Sequence, residues 1–239
     1  MRIRMAYIKI VVLLLLVIGL YGFASVRNAK RPMGNIAIKF VGEENLYLTE
    51  EAVNKLLIQK LGPLENRAKD AVVLDSIEKI VQSSPMVKTA QVYRTVDGKL
   101  ISKIIQRKPI GRIEGNSRFY LDTEGKRMPL SRYHSARVPI ITGKITEKTL
   151  EDAYVILEYI SQDDFLRKNV IGIHIKDEDA YLLKLRVEEF VVNLGSVENL
   201  DEKFKKFMAF YVKAAKDNSL DTYAEVSLKF DNQVVCTKI

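Results

Sequence analysis

Cysteine and histidine are almost missing from this chain. Its 239 residues hold one cysteine, Cys236, and two histidines, His134 and His174. A single thiol closes no intramolecular bridge, so no disulfide framework is available. The histidines lie far apart in sequence, and neither has other ligand types at metal-site spacing. No glycine-rich phosphate loop and no Gly-x-Ser-x-Gly elbow occur, so the common signatures of nucleotide chemistry and serine hydrolysis are lacking. Three acids in residues 176–180 (KDEDA) lack the glycine-spaced loop of a calcium site and read as a solvated hairpin turn. Internal repeats and low-complexity tracts are absent too. The expectation is no cofactor and no metal.

Charge is also missing over one stretch. Between Lys9 and Arg27 no residue is ionisable in the acidic or basic sense. At about 1.5 Å per residue, that run nearly spans a hydrocarbon core of roughly 30 Å. A cleaved signal peptide is the rival reading, with Gly22 and Ala24 as small residues before a cut. The run exceeds the usual signal core, and bulky Tyr21 and Phe23 stand near its end, which favours an uncleaved anchor. The expected plan is a cytoplasmic stub at 1–9, a transmembrane helix at 10–26 and a linker at 27–34. Basic residues flank both ends of the run, so the positive-inside rule barely discriminates. A short N-terminal stub makes the N-in orientation the simpler one, with the rest of the chain exported.

The remainder has the composition of a folded protein: 47% of the chain is apolar and 28% charged, values that a disordered chain does not reach together. The net charge of +8 misleads. Residues 1–31 hold six basic residues and no acid, which leaves 32 basic against 30 acidic residues beyond them. Residues 99–144 are locally basic, with eleven Lys/Arg against three Asp/Glu. In an exported domain this suits a solvated surface, anionic lipid, wall polymer or an acidic partner rather than nucleic acid.

Periodicity supplies the elements. Ile36, Ile38 and Phe40 alternate as a half-buried strand after the turn residues Pro32 and Gly34. Thr49 caps a helix whose face is Ala52, Val53, Leu56 and Leu57, stopped at Gly62-Pro63. Leu74, Ile77, Ile80 and Val81 stripe a second helix. Val87 opens a strand that continues through Ala90, Val92 and Val96. Asp97-Gly98 signals a tight hairpin, and residues 100–106 return. The unit is β-α-α-β-β. Beyond it, Leu150, Ala153, Leu157 and Ile160 share a helix face. Strands follow on Ile171, Ile173 and Ile175, on Leu183, Leu185 and Val187, and on residues 190–195. Asn199 and Glu202 are spaced as a capping box for a helix bearing Leu200, Phe204, Phe207, Met208 and Tyr211. Two last strands, one with Val226, Leu228 and Phe230 and one over residues 233–238, are joined at Asp231-Asn232. Cys236 falls in that alternation as a small buried hydrophobe.

One stretch, residues 119–143 (FYLDTEGKRMPLSRYHSARVPIITG), concentrates candidate chemistry in Asp122, Ser131 and His134. A nucleophile needs a base oriented by a third group, and nothing in this spacing fixes that geometry. Asp122-Thr-Glu-Gly125 reads instead as a turn in which Asp bonds its own backbone and Gly takes positive φ. The cluster is architecture.

The β-α-α-β-β unit resembles a POTRA domain, and its exit "QRKPIGRI" is similar to the Arg-x-Pro exit of the FtsQ/DivIB family of bacterial division proteins. The following segment resembles that family in order and spacing: Tyr120, Asp122, Gly125, Pro129-Leu130, Pro139 and Gly143. Gln106 stands where many members carry Glu. The resemblance implies an α+β fold, with a single N-terminal transmembrane helix, a POTRA domain at 35–107 and a β-rich domain with flanking helices at 108–239. It implies a non-catalytic bitopic scaffold of the inner (plasma) membrane at the division septum, with the bulk of the chain outside the cytoplasm. It further implies that a terminal hairpin receives a strand from an FtsB/FtsL-type partner, while the POTRA domain meets other division proteins. By position, the partner-binding residues would be Lys229, Phe230, Asn232, Val234, Val235, Cys236, Thr237 and Lys238. Two alternatives stay open: a membrane-anchored cell-wall hydrolase using Ser131 or Asp122, and a POTRA-bearing assembly factor. The latter would normally show repeated POTRA units or a barrel.

Overall fold

The computed structural model describes residues 2–29, 36–42, 45–62, 74–95 and 99–239. A first helix, α1 (Arg2–Ala29), contains a 21-residue stretch, Tyr7–Arg27, that is long and apolar enough to cross a membrane and buries nothing within the protein. The chain divides between Gln106 and Arg107 into two compact units.

The first unit continues with β1 (Ile36–Phe40), α2 (Glu50–Leu61), α3 (Leu74–Gln82), β2 (Val87–Arg94) and β3 (Leu100–Gln106). These are the elements in the order that periodicity predicts. Thr49 caps α2, its hydroxyl oxygen accepting from the Ala52 N–H at 3.3 Å. The sheet order is β1-β3-β2, with β1 parallel and β2 antiparallel to β3. One face buries Ile36, Ile38, Leu100 and Ile104 against Val53, Leu57, Ile77 and Val81 of the helices. Gln106, buried at the end of β3, accepts from the N–H groups of Tyr47 and Leu48 and donates to the Leu48 carbonyl. A glutamate there would keep both acceptor bonds and lose the donor. The linker residues Pro32 and Gly34, the helix stop at Pro63, Val96 and the Asp97-Gly98 turn lie outside the described residues.

The second unit runs β4 (Pro109–Glu114), β5 (Arg118–Asp122), β6 (Arg127–Pro129), β7 (Ile140–Gly143), α4 (Glu147–Gln162), α5 (Asp164–Asn169), β8 (Val170–Asp177), β9 (Ala180–Leu185), β10 (Val191–Gly195), α6 (Leu200–Lys216), β11 (Tyr223–Ser227) and β12 (Val235–Lys238). Its strands form one sheet in the order β12-β11-β10-β9-β8-β7-β4-β5-β6. Leu150, Ala153, Leu157 and Ile160 of α4 and Phe204 and Phe207 of α6 bury against Ile113, Ile141, Ile173, Leu183, Val192 and Val226 of the sheet. The whole chain is thus α+β, with an apolar N-terminal helix, a POTRA-like unit and a β-rich unit.

Three local expectations change. Asn199 does not close a capping box: its backbone is left-handed (φ 55, ψ 38) and its side chain makes no cap bond. An N-cap normally needs an extended backbone to aim its side chain at the first turn. Val187 lies past the end of β9 and is exposed. The last two strands are shorter than the alternation suggests, because β11 stops at Ser227 and β12 starts at Val235. Leu228 remains buried and donates its N–H to the Asn193 carbonyl, after which Phe230 leaves the sheet.

Gly143 closes β7 beside Ile175 of the parallel strand β8, at φ +100. A Cβ at that position would overlap the Ile175 carbonyl oxygen. Backbone cannot yield as a flexible side chain does, and the φ is one that L-residues resist. Gly143→Ala should therefore cost about 3 kcal/mol or more, read as a lower midpoint in urea unfolding of the β-rich unit. A midpoint equal to wild type would contradict this register.

Candidate partner-docking edge

Sheets that do not close leave rows of backbone groups unpaired at their edges. The two sheets have four edge strands among the described residues: β1 and β2 in one, β6 and β12 in the other. On β2, the Glu78 carboxylate of α3 accepts from the Val92 N–H at 2.9 Å, and the Gln82 amide donates to the Ala90 carbonyl at 3.1 Å. Side chains of the same unit thus stand where a neighbouring strand would. β6 has three residues and ends in Pro129, which has no N–H to offer.

The β12 edge is different. Its inner side pairs antiparallel with β11, which in turn runs parallel to β10. Ile239 donates to the Thr222 carbonyl on the β11 side. Strand residues alternate the direction of their backbone groups, so Val235 and Thr237 also face β11 while Cys236 and Lys238 face outward. The Cys236 side chain packs toward the core opposite Val226, together with Val234. Burial pushes the Cys236 thiol up, so it behaves as a packing group and not as a thiolate. Thr237 and Lys238 are exposed.

Exposed apolar side chains lie on β12, just after it and in the connection that leads into it. Phe230 is 47% exposed, Val235 39% and Ile239 87%. Lys229 lays its stem across Gly195 at the end of β10, and Asn232 is exposed in the turn that follows Phe230. Of the sequence-derived residues, Val235 to Lys238 form the edge strand, Phe230, Asn232 and Val234 lie in the connection that leads into it, and Lys229 lies over β10. Sequence reasoning missed Lys206 of α6, whose ammonium donates to the carbonyls of Phe230 (2.7 Å) and Asp231 (2.6 Å). It also missed Tyr223, which seats β11 by an edge-on contact with Phe210 of α6 at 5.3 Å.

The candidate catalytic residues meet other fates. Asp122 ends β5 with its side chain only 2% exposed and its Oδ2 bonded to Arg107 at 2.5 Å. Its Oδ1 accepts from the N–H groups of Glu124 and Lys126. Gly125 completes the turn at φ +70. Arg107 is the arginine of the Arg-x-Pro exit, so two sequence motifs turn out to be one buried contact. Ser131 accepts from the Tyr133 N–H, a local turn bond. His174 faces out from β8 and pairs with the Thr142 hydroxyl at 3.0 Å. A cavity of 220 Å³ at the first turn of α4 is rimmed by Arg127 and Glu147, which pair with each other, and by Thr146, which is spent on the helix cap. Among the described residues, no group of three or more His, Cys, Asp or Glu converges as a metal site.

The basic stretch 99–144 is largely answered by acids. Arg112 and Arg118 share Glu114, Lys126 meets Glu124, and Lys144 meets Asp177. The paired lysine Lys144 is held above the usual range by its bond to Asp177. These pairs are exposed or half-exposed, and each is worth little.

The sequence profile described as FtsQ/DivIB, C-terminal related, matches residues 108–237, more than half of the chain. The chain belongs to the FtsQ/DivIB family. A POTRA-like domain profile matches residues 35–105, which is the first unit without its apolar N-terminal helix. Among curated proteins, the chain is 25% identical over 181 residues to a protein named cell division protein FtsQ from Koribacter versatilis (strain Ellin345). That match covers 69% of this chain and 50% of the relative, so the chain spans about half of the curated protein's length. The residues matched by the first profile, 108–237, take in both the Asp122 turn and most of β12.

In this FtsQ/DivIB chain, the buried pair of Asp122 with Arg107 makes a prediction about stability. Removing one partner of a buried, hydrogen-bonded ion pair costs about 3–5 kcal/mol. Asp122→Ala and Arg107→Ala should each lower the urea midpoint of the β-rich unit accordingly. Asp122→Asn keeps an acceptor for the turn and should lose less. Equal losses for Asn and Ala at position 122 would mean that the turn bonds contribute nothing.

Proposed function

We propose that this chain is a non-catalytic, single-pass scaffold of the bacterial division machinery that docks an extended segment of an FtsB/FtsL-type partner as an added strand on β12. The observation that carries the proposal is the position of β12 at the end of the nine-stranded sheet, with exposed apolar residues in it and on either side of it in the chain. In strand addition, backbone bonds supply affinity and alternate side chains supply specificity. Cys236 and Lys238 offer the backbone rungs, and Phe230, Val235, Thr237 and Ile239 offer the flanking contacts. Lys229, Asn232 and Val234 shape the approach.

The remaining assignments belong to the same proposal. Residues 1–9 lie in the cytoplasm, 10–26 cross the inner membrane and 27–34 link to the POTRA domain at 35–107. The β-rich domain at 108–239 then stands outside the cytoplasm at the septum. Other division proteins meet the POTRA domain, and no nucleic acid is involved. The absence of catalysis is supported by the commitments of Asp122 and Ser131 to local backbone and to Arg107.

The test uses proline as a backbone probe. Val235→Pro is a poor choice, because Val235 pairs with Ser227 and the change would damage the native hairpin. Lys238→Pro removes an outward N–H and spares the bonds to β11. Full-length protein in detergent is titrated with the co-purified FtsB–FtsL-type complex of the same organism, with circular dichroism to verify folding. Lys238→Pro and Phe230→Ala should each weaken binding about tenfold or more, as truncated anchors do at about 1–4 kcal/mol. Unchanged affinity in both folded variants would rule out β12 as the docking strand.

A further inference from the structure

We infer that Lys206 is a positioning residue for strand docking: from the second turn of α6 it clamps the connection between β11 and β12 and presents Phe230 at the docking edge without touching the partner itself. The inference rests on the β12 reading and adds to it a residue outside the hairpin.

The connection explains why a clamp is needed. After Leu228, buried and bonded to Asn193, the chain leaves the sheet and does not rejoin it until Val235. The turn at Asp231-Asn232 fixes only the middle of this connection, whereas in a two-residue hairpin the turn sets the whole of it. Lys206 Nζ donates to two consecutive backbone carbonyls in it, those of Phe230 and Asp231. Bonds from a charged donor are shorter and stronger than neutral ones, and two acceptors on adjacent residues fix the local backbone direction. The neighbouring lysines of α6 do other work. Lys203 is buried and donates to the Ser196 carbonyl, and Lys205 pairs with Asp201. The Asp231 carboxylate lies near this group of cations and adds favourable charge. Held in this way, Phe230 keeps nearly half its surface in solvent in the connection that leads into β12. Large apolar side chains are left exposed at a cost, and next to an open strand they serve as anchors. A preorganised anchor binds better because its ordering cost is met before the partner arrives.

Binding of the same co-purified partner complex to full-length protein in detergent separates the possibilities. Lys206→Met keeps the aliphatic stem and removes the donor. It should weaken binding about fivefold, with the thermal unfolding midpoint within a degree or two of wild type. Lys206→Arg, which can still donate to two carbonyls, should restore affinity to within about twofold of wild type. Combining Lys206→Met with Phe230→Ala should add little to Phe230→Ala alone, since the clamp acts through that ring. Wild-type affinity in Lys206→Met, alongside weakened binding in Lys238→Pro, would overturn the clamp and leave strand addition standing. Fully additive losses in the double variant would overturn it equally, because Lys206 would then be acting on the partner directly. If neither Lys238→Pro nor Lys206→Met changes affinity, the β12 reading fails and the clamp with it.

Discussion

Every backbone N–H and C=O must be hydrogen-bonded to something, and an open sheet has two rows that its own strands cannot serve. The β-rich unit meets this constraint unevenly. At one end the sheet dwindles to the three residues of β6 and a proline. At the other it finishes in β12, whose outward row belongs to Cys236 and Lys238. In the POTRA-like unit, the longest edge strand is served by Glu78 and Gln82 of the adjacent helix, which mimic a neighbouring strand with side chains. Where the protein closes an edge itself, a partner has little to gain there. Where it leaves one open beside exposed phenylalanine, valine and isoleucine, a partner gains both backbone bonds and apolar burial.

Much of this was legible in the sequence because the signals involved are local. Period-two alternation at Ile36, Ile38 and Phe40 and the helical stripe of Leu74, Ile77 and Val81 need no tertiary knowledge to be read. Thr49 caps α2 through a bond three residues long. The turn at Asp122 to Gly125 also follows from residue chemistry, since Asp accepts from backbone two and four positions on.

The rest depends on contacts that no local pattern carries. The alternation of Val226, Leu228 and Phe230 suggests one strand, yet the chain leaves the sheet after Leu228, and the Phe230 carbonyl accepts from Lys206, more than twenty positions away. Asn199 has the composition of a capping box, but the chain arrives there in a left-handed conformation. The short helix α5 carries too few residues for periodicity to declare it, and β4 breaks the alternation by burying Ile110 and Ile113, three positions apart. Arg107 and Asp122 look like separate motifs, one at an exit and one in a turn, and only the folded sheet joins them into a buried pair. The same contact explains why an acid near a serine and a histidine is a structural element here: its oxygens are already occupied.

The account makes the outward backbone row of β12 the place where a partner strand is received. Residue-resolved amide hydrogen exchange on the full-length protein, with and without the FtsB–FtsL-type complex, tests this most directly. Val235 and Thr237 already donate to β11, so their amides should exchange slowly in both states. The amides of Cys236 and Lys238 should exchange fast in the free protein and become strongly protected in the complex. A stable complex in which Cys236 and Lys238 continue to exchange as in the free protein would contradict it.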